Sequence, residues 1–223
     1  MSNFGKLSAV ATPIGNLEDI TLRAIRTLKE CDAILCEDTR VTAKLLARYE
    51  ISKPLIRCDE KAEEKAAKQA IEMLEEGKSL ALVSDAGTPG ISDPGSRLVA
   101  RVRRFLPDAK IEAIPGASAL TATLSIAGLD SGEFTFLGFL PHKKGRQTAL
   151  KRILASDIPV VLYESPHRIQ KLLEEIGDGT VTIGRELTKI HEEVRVGPAL
   201  EVAHALKKEG KDRGEFVVIV HPK

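Results

Sequence analysis

SLALVSDAGTPGISDPGSRLVARVRR, residues 79–104, holds the reading that decides the fold. It opens as a short continuous apolar run, SLALVS, of the length and content expected of a strand buried on both faces. It then turns to glycine, proline, serine, threonine and aspartate through LVSDAGTPGISDPG (82–95), with two carboxylates, Asp85 and Asp93. The stretch ends in RLVARVRR, where Leu98, Val99 and Val102 fall on one helical face while Arg97, Arg101 and Arg104 recur at helical spacing. A buried strand, a turn-rich loop and an amphipathic helix, in that order, form the repeating half of an α/β fold.

The pattern extends in both directions. LSAVA, DAILCE, PLIRC, SLALVS and KIEAI read as strands in the first half, and FTFLGF, PVVLYES, TVTIGREL, EEVRVG and EFVVIV in the second, with helical segments between them. The first five are mainly continuous apolar runs and predict a parallel sheet covered on both faces. FTFLGF, TVTIGREL and EEVRVG alternate more, which predicts antiparallel pairing. Two α/β domains are expected, residues 1–115 and 116–223, joined near IPGAS (114–118). EKAEEKAAKQAIEMLEEGK (60–78) alternates in charge on a helical pattern and reads as a solvated scaffold face.

Composition narrows the class. The chain has 223 residues, 43% hydrophobic and 29% charged, enough to bury a substantial core. Its apolar runs fall far short of the roughly 20 residues that span a bilayer, and its N-terminus lacks a signal pattern, so a cytoplasmic protein without membrane contact is expected. Cys31, Cys36 and Cys58 show no C-x-x-C spacing and read as buried thiols, not a disulfide framework or a metal site. The net charge of +1 conceals local clustering: GFLPHKKGRQTALKR (138–152) carries five Lys or Arg and no acid.

Chemistry gathers where strands end. ATPIGNLEDIT (11–21) follows the first strand, and its Pro, Gly and Asn force turns before Asp19 or Thr21 caps a helix. SDAGTPGISDPG and IPGASA (114–119) repeat the arrangement, with Asp93 and Pro94 placed as N-cap and first helical residue, and Gly116 and Ser118 opening the next helix. Each feature taken alone is satisfied by turn formation. Three such loops from neighbouring parallel strands define a crevice at the carboxyl ends of a sheet, where open α/β sheets bind ligands. Neither G-x-x-x-x-G-K-[ST] nor G-x-G-x-x-G occurs, which removes the two commonest nucleotide-binding motifs.

ATPIGNLEDIT, CEDTR (36–40), LVSDAGTPGISDPG, IPGASA, GFLPHKKGR, YESPHR (163–168) and GRELTKIHEE (184–193), in this order, resemble the tetrapyrrole methylase superfamily. More closely, they are similar to its ribosomal RNA small subunit methyltransferase I branch. The similarity runs from Leu7 to the terminal GEFVVIV. Many members of that branch continue past the final strand into a helical segment, whereas this sequence ends at Lys223.

The resemblance implies two α/β domains with S-adenosylmethionine held between them, a homodimer, and 2′-O-methylation of a cytidine in small-subunit (16S) ribosomal RNA, free or assembled in the 30S subunit, without metal. It places cofactor contacts on Pro13, Asp85, Gly87, Thr88, Ser118 and Ala119, with Tyr163 and Leu187 facing them from the second domain. The loop glycines would let backbone approach the methionine moiety. A hydroxyl nucleophile needs a group to take its proton, and the candidates are Glu37, Asp38, Asp93, Lys189, His191 and Glu192. Lys143, Lys144 and Arg146 become phosphate contacts. Arg168 is ambiguous, because Ser165 and Pro166 alone account for its stretch as a helix start. Two other readings remain open at this point: a methylase of a small molecule such as a tetrapyrrole, and a non-catalytic protein that binds a nucleoside ligand.

Overall fold

The computed structural model describes residues 4–130 and 132–222, which divide into two compact units between Ser118 and Ala119. In the N-terminal unit, β1 (Lys6–Val10), β2 (Ala33–Cys36), β3 (Leu55–Arg57), β4 (Leu80–Leu82) and β5 (Lys110–Ile114) form one sheet in the order β3-β2-β4-β1-β5. Every pairing in it is parallel. The crossovers are α1 (Leu22–Glu30), α2 (Thr39–Arg48), α3 (Glu63–Glu75) and α4 (Gly95–Phe105).

Strand alternation explains why these strands are apolar throughout. Leu7, Leu35, Leu80 and Leu82 pack with Ala66, Ala70, Leu74, Leu98 and Val102 of α3 and α4 on one face. Val10, Ile34, Ala81 and Val83 pack with Ala24, Leu28 and Leu46 of α1 and α2 on the other. Each fully buried leucine contributes about 1.5–3 kcal/mol, so covering both faces is what stabilises a parallel sheet. The scaffold helix α3 is less solvated than its charge pattern predicts. Glu63 is buried and receives Arg97 at 3.1 Å and Arg101 at 3.6 Å from α4, which absorbs two of the four arginines in RLVARVRR.

The C-terminal unit contains α5 (Ala119–Ile126), β6 (Thr135–Phe139), α6 (Arg146–Leu154), β7 (Val160–Glu164), α7 (Ile169–Ile176), β8 (Thr180–Arg185), β9 (Glu193–Pro198), α8 (Ala199–Lys208) and β10 (Phe216–Val220). Its sheet order is β6-β7-β10-β8-β9. β8–β9, β8–β10 and β7–β10 pair antiparallel. FTFLGF departs from expectation, since β6 pairs parallel with β7. Its alternation reflects its place as a half-buried edge strand with a bulge between Phe136 and Gly138, not its direction. One face of this sheet is covered by α6, α7 and α8 through Leu150, Leu172, Leu173, Val202 and Leu206 against Leu162, Ile183 and Val218. β6, β7 and β8 run in the same direction, so HKKGR, SPHR and RELTK all follow strand ends on one edge of the sheet.

Candidate active site

β1 lies between β4 and β5, so the loops that follow these three strands leave the sheet side by side. They are tied together by backbone. Thr12 and Gly87 exchange N–H···O bonds of 3.0 Å in both directions, and Ala11 N–H donates to the Ile114 carbonyl at 3.0 Å. The buried Thr12 hydroxyl donates to the Ser84 carbonyl at 3.2 Å, and the Thr88 hydroxyl reaches the Ala117 carbonyl at 3.4 Å. Gly87 has φ +79°, a backbone region that disfavours any side chain; an added Cβ would stand 3.4 Å from Ile14 and 3.7 Å from the Ala117 carbonyl. The three loops thus form a small cradle in which a Cβ would meet its neighbours at ordinary contact distance, so that the backbone angle is what requires glycine.

A fourth loop joins through Asp85, whose Oδ1 accepts the Asp38 N–H at 3.0 Å, linking SDAG to CEDTR. Asp93 serves a different purpose. Its carboxylate accepts Gly90 N–H at 2.8 and 2.9 Å and Gly95 N–H at 2.7 Å, closing the loop across Ser92 at φ +64°. The expected cap is displaced by one residue: α4 starts at Gly95, Pro94 occupies the cap position, and Asp93 reaches the helix from outside it. At the neighbouring helices Thr21 caps α1 and Asp38 caps α2, while Asn16 caps a short 3-10 turn over Leu17–Asp19.

The carboxylates of this region differ in how readily they hold a proton. Burial, reinforced by repulsion from Asp85, Asp93, Asp59 and Asp38, pushes Glu37 above the ordinary carboxylate range. Burial also raises Asp85, against the opposing bond from Asp38 N–H. Asp38 moves the other way. The Arg40 side chain, bonded to both its oxygens at 3.1 and 2.6 Å, and the Arg40 N–H at 2.8 Å hold it far below the usual range. A carboxylate so stabilised as an anion is a poor proton acceptor.

In the C-terminal unit, Tyr163 on β7 packs edge-on against Phe136 at 5.0 Å between centroids and tilted against Phe139 at 5.6 Å. Leu187 is buried in the turn after β8, between Glu186 at φ +49° and Thr188 at φ +66°. Glu186 braces that turn: its Oε1 accepts Lys189 Nζ and Glu215 N–H, each at 2.9 Å. Lys189 also donates to Glu215 at 2.8 Å. Burial opposes its charge, but the bonds to Glu215 and Glu186 outweigh burial and raise its pKa, so Lys189 is a cationic brace and not a base. Glu192 accepts the Thr188 N–H, and with His191 it lines an open cavity of about 530 Å³ shared with Arg185, Glu193 and Lys211.

HKKGR does not hold three equivalent cations. Lys143 and Lys144 are exposed, but Arg146 is only 4% exposed. Its Nε and Nη2 donate to Glu175 at 2.9 and 2.6 Å, and its Nη1 faces Glu164 at 3.8 Å. The placement of Arg146 among phosphate contacts is thereby corrected: a guanidinium committed to a buried carboxylate pair is not available to a polyanion. Nor do Ser165 and Pro166 start a helix, since α7 begins at Ile169.

The tetrapyrrole (corrin/porphyrin) methylase model matches residues 6–203, and so takes in both units. The chain belongs to that family. Ribosomal RNA small subunit methyltransferase I of Thermotoga maritima is 45% identical over 98% of this chain and 99% of its own length. The relative of that name in Halalkalibacterium halodurans is 46% identical over 97% of this chain and 75% of its own length. Among solved structures, uroporphyrin-III C-methyl transferase from Thermus thermophilus, complexed with S-adenyl homocysteine, superimposes with a TM-score of 0.64 at 18% identity, covering 96% of this chain and 97% of that one.

For a tetrapyrrole methylase, the loops of the N-terminal unit fit a bound S-adenosylmethionine. The Gly87 cradle offers close backbone approach and Asp85 offers an exposed carboxylate, with Pro13, Thr88 and Ser118 on the same three loops. Among the described residues no group of three or more His, Cys, Asp or Glu is arranged to hold a metal ion. None of the described helices is long and apolar enough to cross a membrane. The sequence did not reveal the Arg146–Glu164–Arg168–Glu175 network; its one local signal was the four-residue spacing of Glu164 and Arg168.

Proposed function

We propose that this chain transfers a methyl group from S-adenosylmethionine to the ribose 2′-hydroxyl of a cytidine in small-subunit (16S) ribosomal RNA. The observation that carries this reading is the 45% identity, over nearly the whole of both chains, to a relative named for that RNA. S-adenosylmethionine supplies, when bound, an electrophilic sulfonium methyl group. Pro13, Asp85, Gly87, Thr88, Ser118 and Ala119 would hold it, with Tyr163 and Leu187 contributing from the C-terminal unit. The N-terminal unit is thus assigned the cofactor loops, and the C-terminal unit the RNA contacts at Lys143 and Lys144. In-line displacement needs alignment above all, which the chain provides by fixing its loops in advance. Among the candidate acceptors we favour Glu37 Oε as the group that takes the hydroxyl proton, because burial, and after it crowding by other carboxylates, raises its proton affinity while Asp38, Asp93 and Lys189 are engaged elsewhere. A cytoplasmic homodimer is part of this reading.

Radiolabelled S-adenosylmethionine, offered with 30S subunits, protein-free small-subunit RNA or uroporphyrinogen, tests it. Label should enter the RNA and, after alkaline hydrolysis, survive in an uncleaved dinucleotide, because a methylated 2′-oxygen cannot attack the adjacent phosphate. Label in base-methylated mononucleotides would refute ribose transfer, label in uroporphyrinogen would move the substrate to the tetrapyrrole class, and no transfer at all would favour a binding protein.

A further inference from the structure

We propose that Arg168 and Arg146 are positioning residues for RNA binding, clamping the two ends of the loop 141–145 so that Lys143 and Lys144 meet phosphate from a fixed backbone. The inference rests on reading those lysines as phosphate contacts. The loop leaves β6 at Leu140 and enters α6 at Arg146 through Gly145, whose φ of +88° permits the sharp approach. At the first end, Arg168 Nη1 donates to the Leu140 carbonyl at 3.0 Å. Its other nitrogens bind Ser165 Oγ at 3.2 Å and Glu164 Oε1 at 2.7 Å, so the same guanidinium grips both β7 and the loop. At the second end, Arg146 is anchored on Glu175 of α7, with Nη1 turned toward Glu164 Oε2. The Glu164 side chain is fully buried and stands between the two arginines.

This arrangement is poorly explained by stability alone. Arg146 Nη1 and Glu164 Oε2 are buried without hydrogen-bond partners, 3.8 Å apart, and buried charges commonly contribute less than apolar residues of equal size. What the network provides is geometry. Two arginines and two glutamates cancel in charge, leaving Lys143 and Lys144 exposed on a loop bonded at both ends. Prior fixation lowers the ordering cost that two flexible lysines would otherwise meet on binding.

The test combines Arg168→Met, the double variant Lys143→Ala/Lys144→Ala, and all three changes together. Binding to protein-free small-subunit ribosomal RNA is measured across a salt series, with cofactor affinity and RNA kinetics alongside. Arg168→Met should weaken RNA binding about tenfold and lower the log–log salt slope although both lysines remain. KM for RNA should rise, with kcat at saturating RNA and cofactor affinity nearly unchanged. The triple variant should bind no worse than the lysine double variant. Additive losses, or a wild-type slope in Arg168→Met, would overturn the inference. If the lysine double variant itself keeps the wild-type slope, the RNA reading of the loop fails and the inference with it; if only the lysine variant lowers the slope, the positioning role alone fails. Should Arg168→Met not fold, Arg168→Lys, which keeps the charge beside Glu164 without the fork to Leu140, replaces it. Faster amide exchange at residues 142–145 with β7 protection intact, together with RNA affinity below that of the wild type, supports the clamp; unchanged loop exchange or wild-type RNA affinity refutes it.

Discussion

In the N-terminal unit, the loops after β1, β4 and β5 are tied by main chain, Thr12 to Gly87 and Ala11 to Ile114, and only the fourth joins through a side chain, Asp38 N–H to the Asp85 carboxylate. In the C-terminal unit, the corresponding loops are held by charged side chains: Arg168 to Leu140, Arg146 to Glu175, Glu186 to Lys189 and Glu215. The difference follows from direction. Neighbouring parallel strands release their loops side by side, where glycines let main chains meet. In the mixed sheet β10 runs back between β7 and β8, separates their loops, and leaves the span to long side chains. A site made of main chain should be sensitive to added bulk, and one made of ion pairs to lost charge.

The largest expected effect is at Gly87. Gly87→Val places a β-branched side chain at φ +79° and fills the cradle beside Ile14 and the Ala117 carbonyl. S-adenosylmethionine affinity should fall at least about hundredfold, combining backbone strain with lost space. Titration calorimetry in chelator reads this, with circular dichroism confirming the fold; undiminished affinity would detach the cradle from the cofactor.

Next comes charge loss in the other unit. Glu164→Ala removes the buried carboxylate between the buried Arg146 and the partly buried Arg168 guanidiniums and should cost about 3 kcal/mol of stability, the usual penalty for breaking a buried pair. Urea unfolding followed by a C-terminal-unit probe measures it, and a loss below that of a typical surface substitution would show that the network is not bearing charge as described.

Asp85 lies between the two cases, a charge that grips main chain. Asp85→Ala should weaken cofactor binding roughly tenfold, the scale of one charge-assisted hydrogen bond. The pH dependence has a definite sign. Burial raises the pKa of Asp85, so its anion is lost at a higher pH than that of an exposed aspartate, and affinity should decline as pH falls through that raised value. Asp85→Asn should bind weakly without this acid limb. A wild-type profile that is flat down to the ordinary aspartate range would remove the carboxylate from the cofactor site.

The strands were legible because apolar periodicity is local. So were the three glycine-bearing loops, since turn residues act where they stand. Direction was not legible for β6: alternation reports which faces are covered, and an edge strand with a bulge alternates whether its partner is parallel or antiparallel. Nor was the fate of Arg146. A basic run looks the same whether solvated or paired, and its partner Glu175 lies 29 residues away on another helix. Asp93 was visible as a loop carboxylate, but its role depended on two N–H groups converging from Gly90 and Gly95.

The smallest effect compares one backbone conformation in both units. Glu50, just past the C-terminus of α2, has φ +55°, and Ile51 N–H closes the helix end on the Leu46 carbonyl at 3.0 Å. Glu50 is exposed, and glycine suits this left-handed position better than any residue bearing a Cβ. Glu50→Gly should therefore stabilise the protein by about 0.5 kcal/mol, the relieved strain exceeding the added freedom of the unfolded chain. Glu186, at φ +49°, is equally strained, but its carboxylate holds Lys189 and the Glu215 N–H. Glu186→Gly should relieve the same strain and still destabilise, by about 1 kcal/mol, because a bond to a charged group is worth more than the strain it maintains. Thermal unfolding of the two variants reads the sign directly. Opposite signs mark Glu50 as an incidental helix end and Glu186 as a brace for the Leu187 turn, whereas stabilisation by both would show that the C-terminal unit does not depend on its charged side chains at that turn.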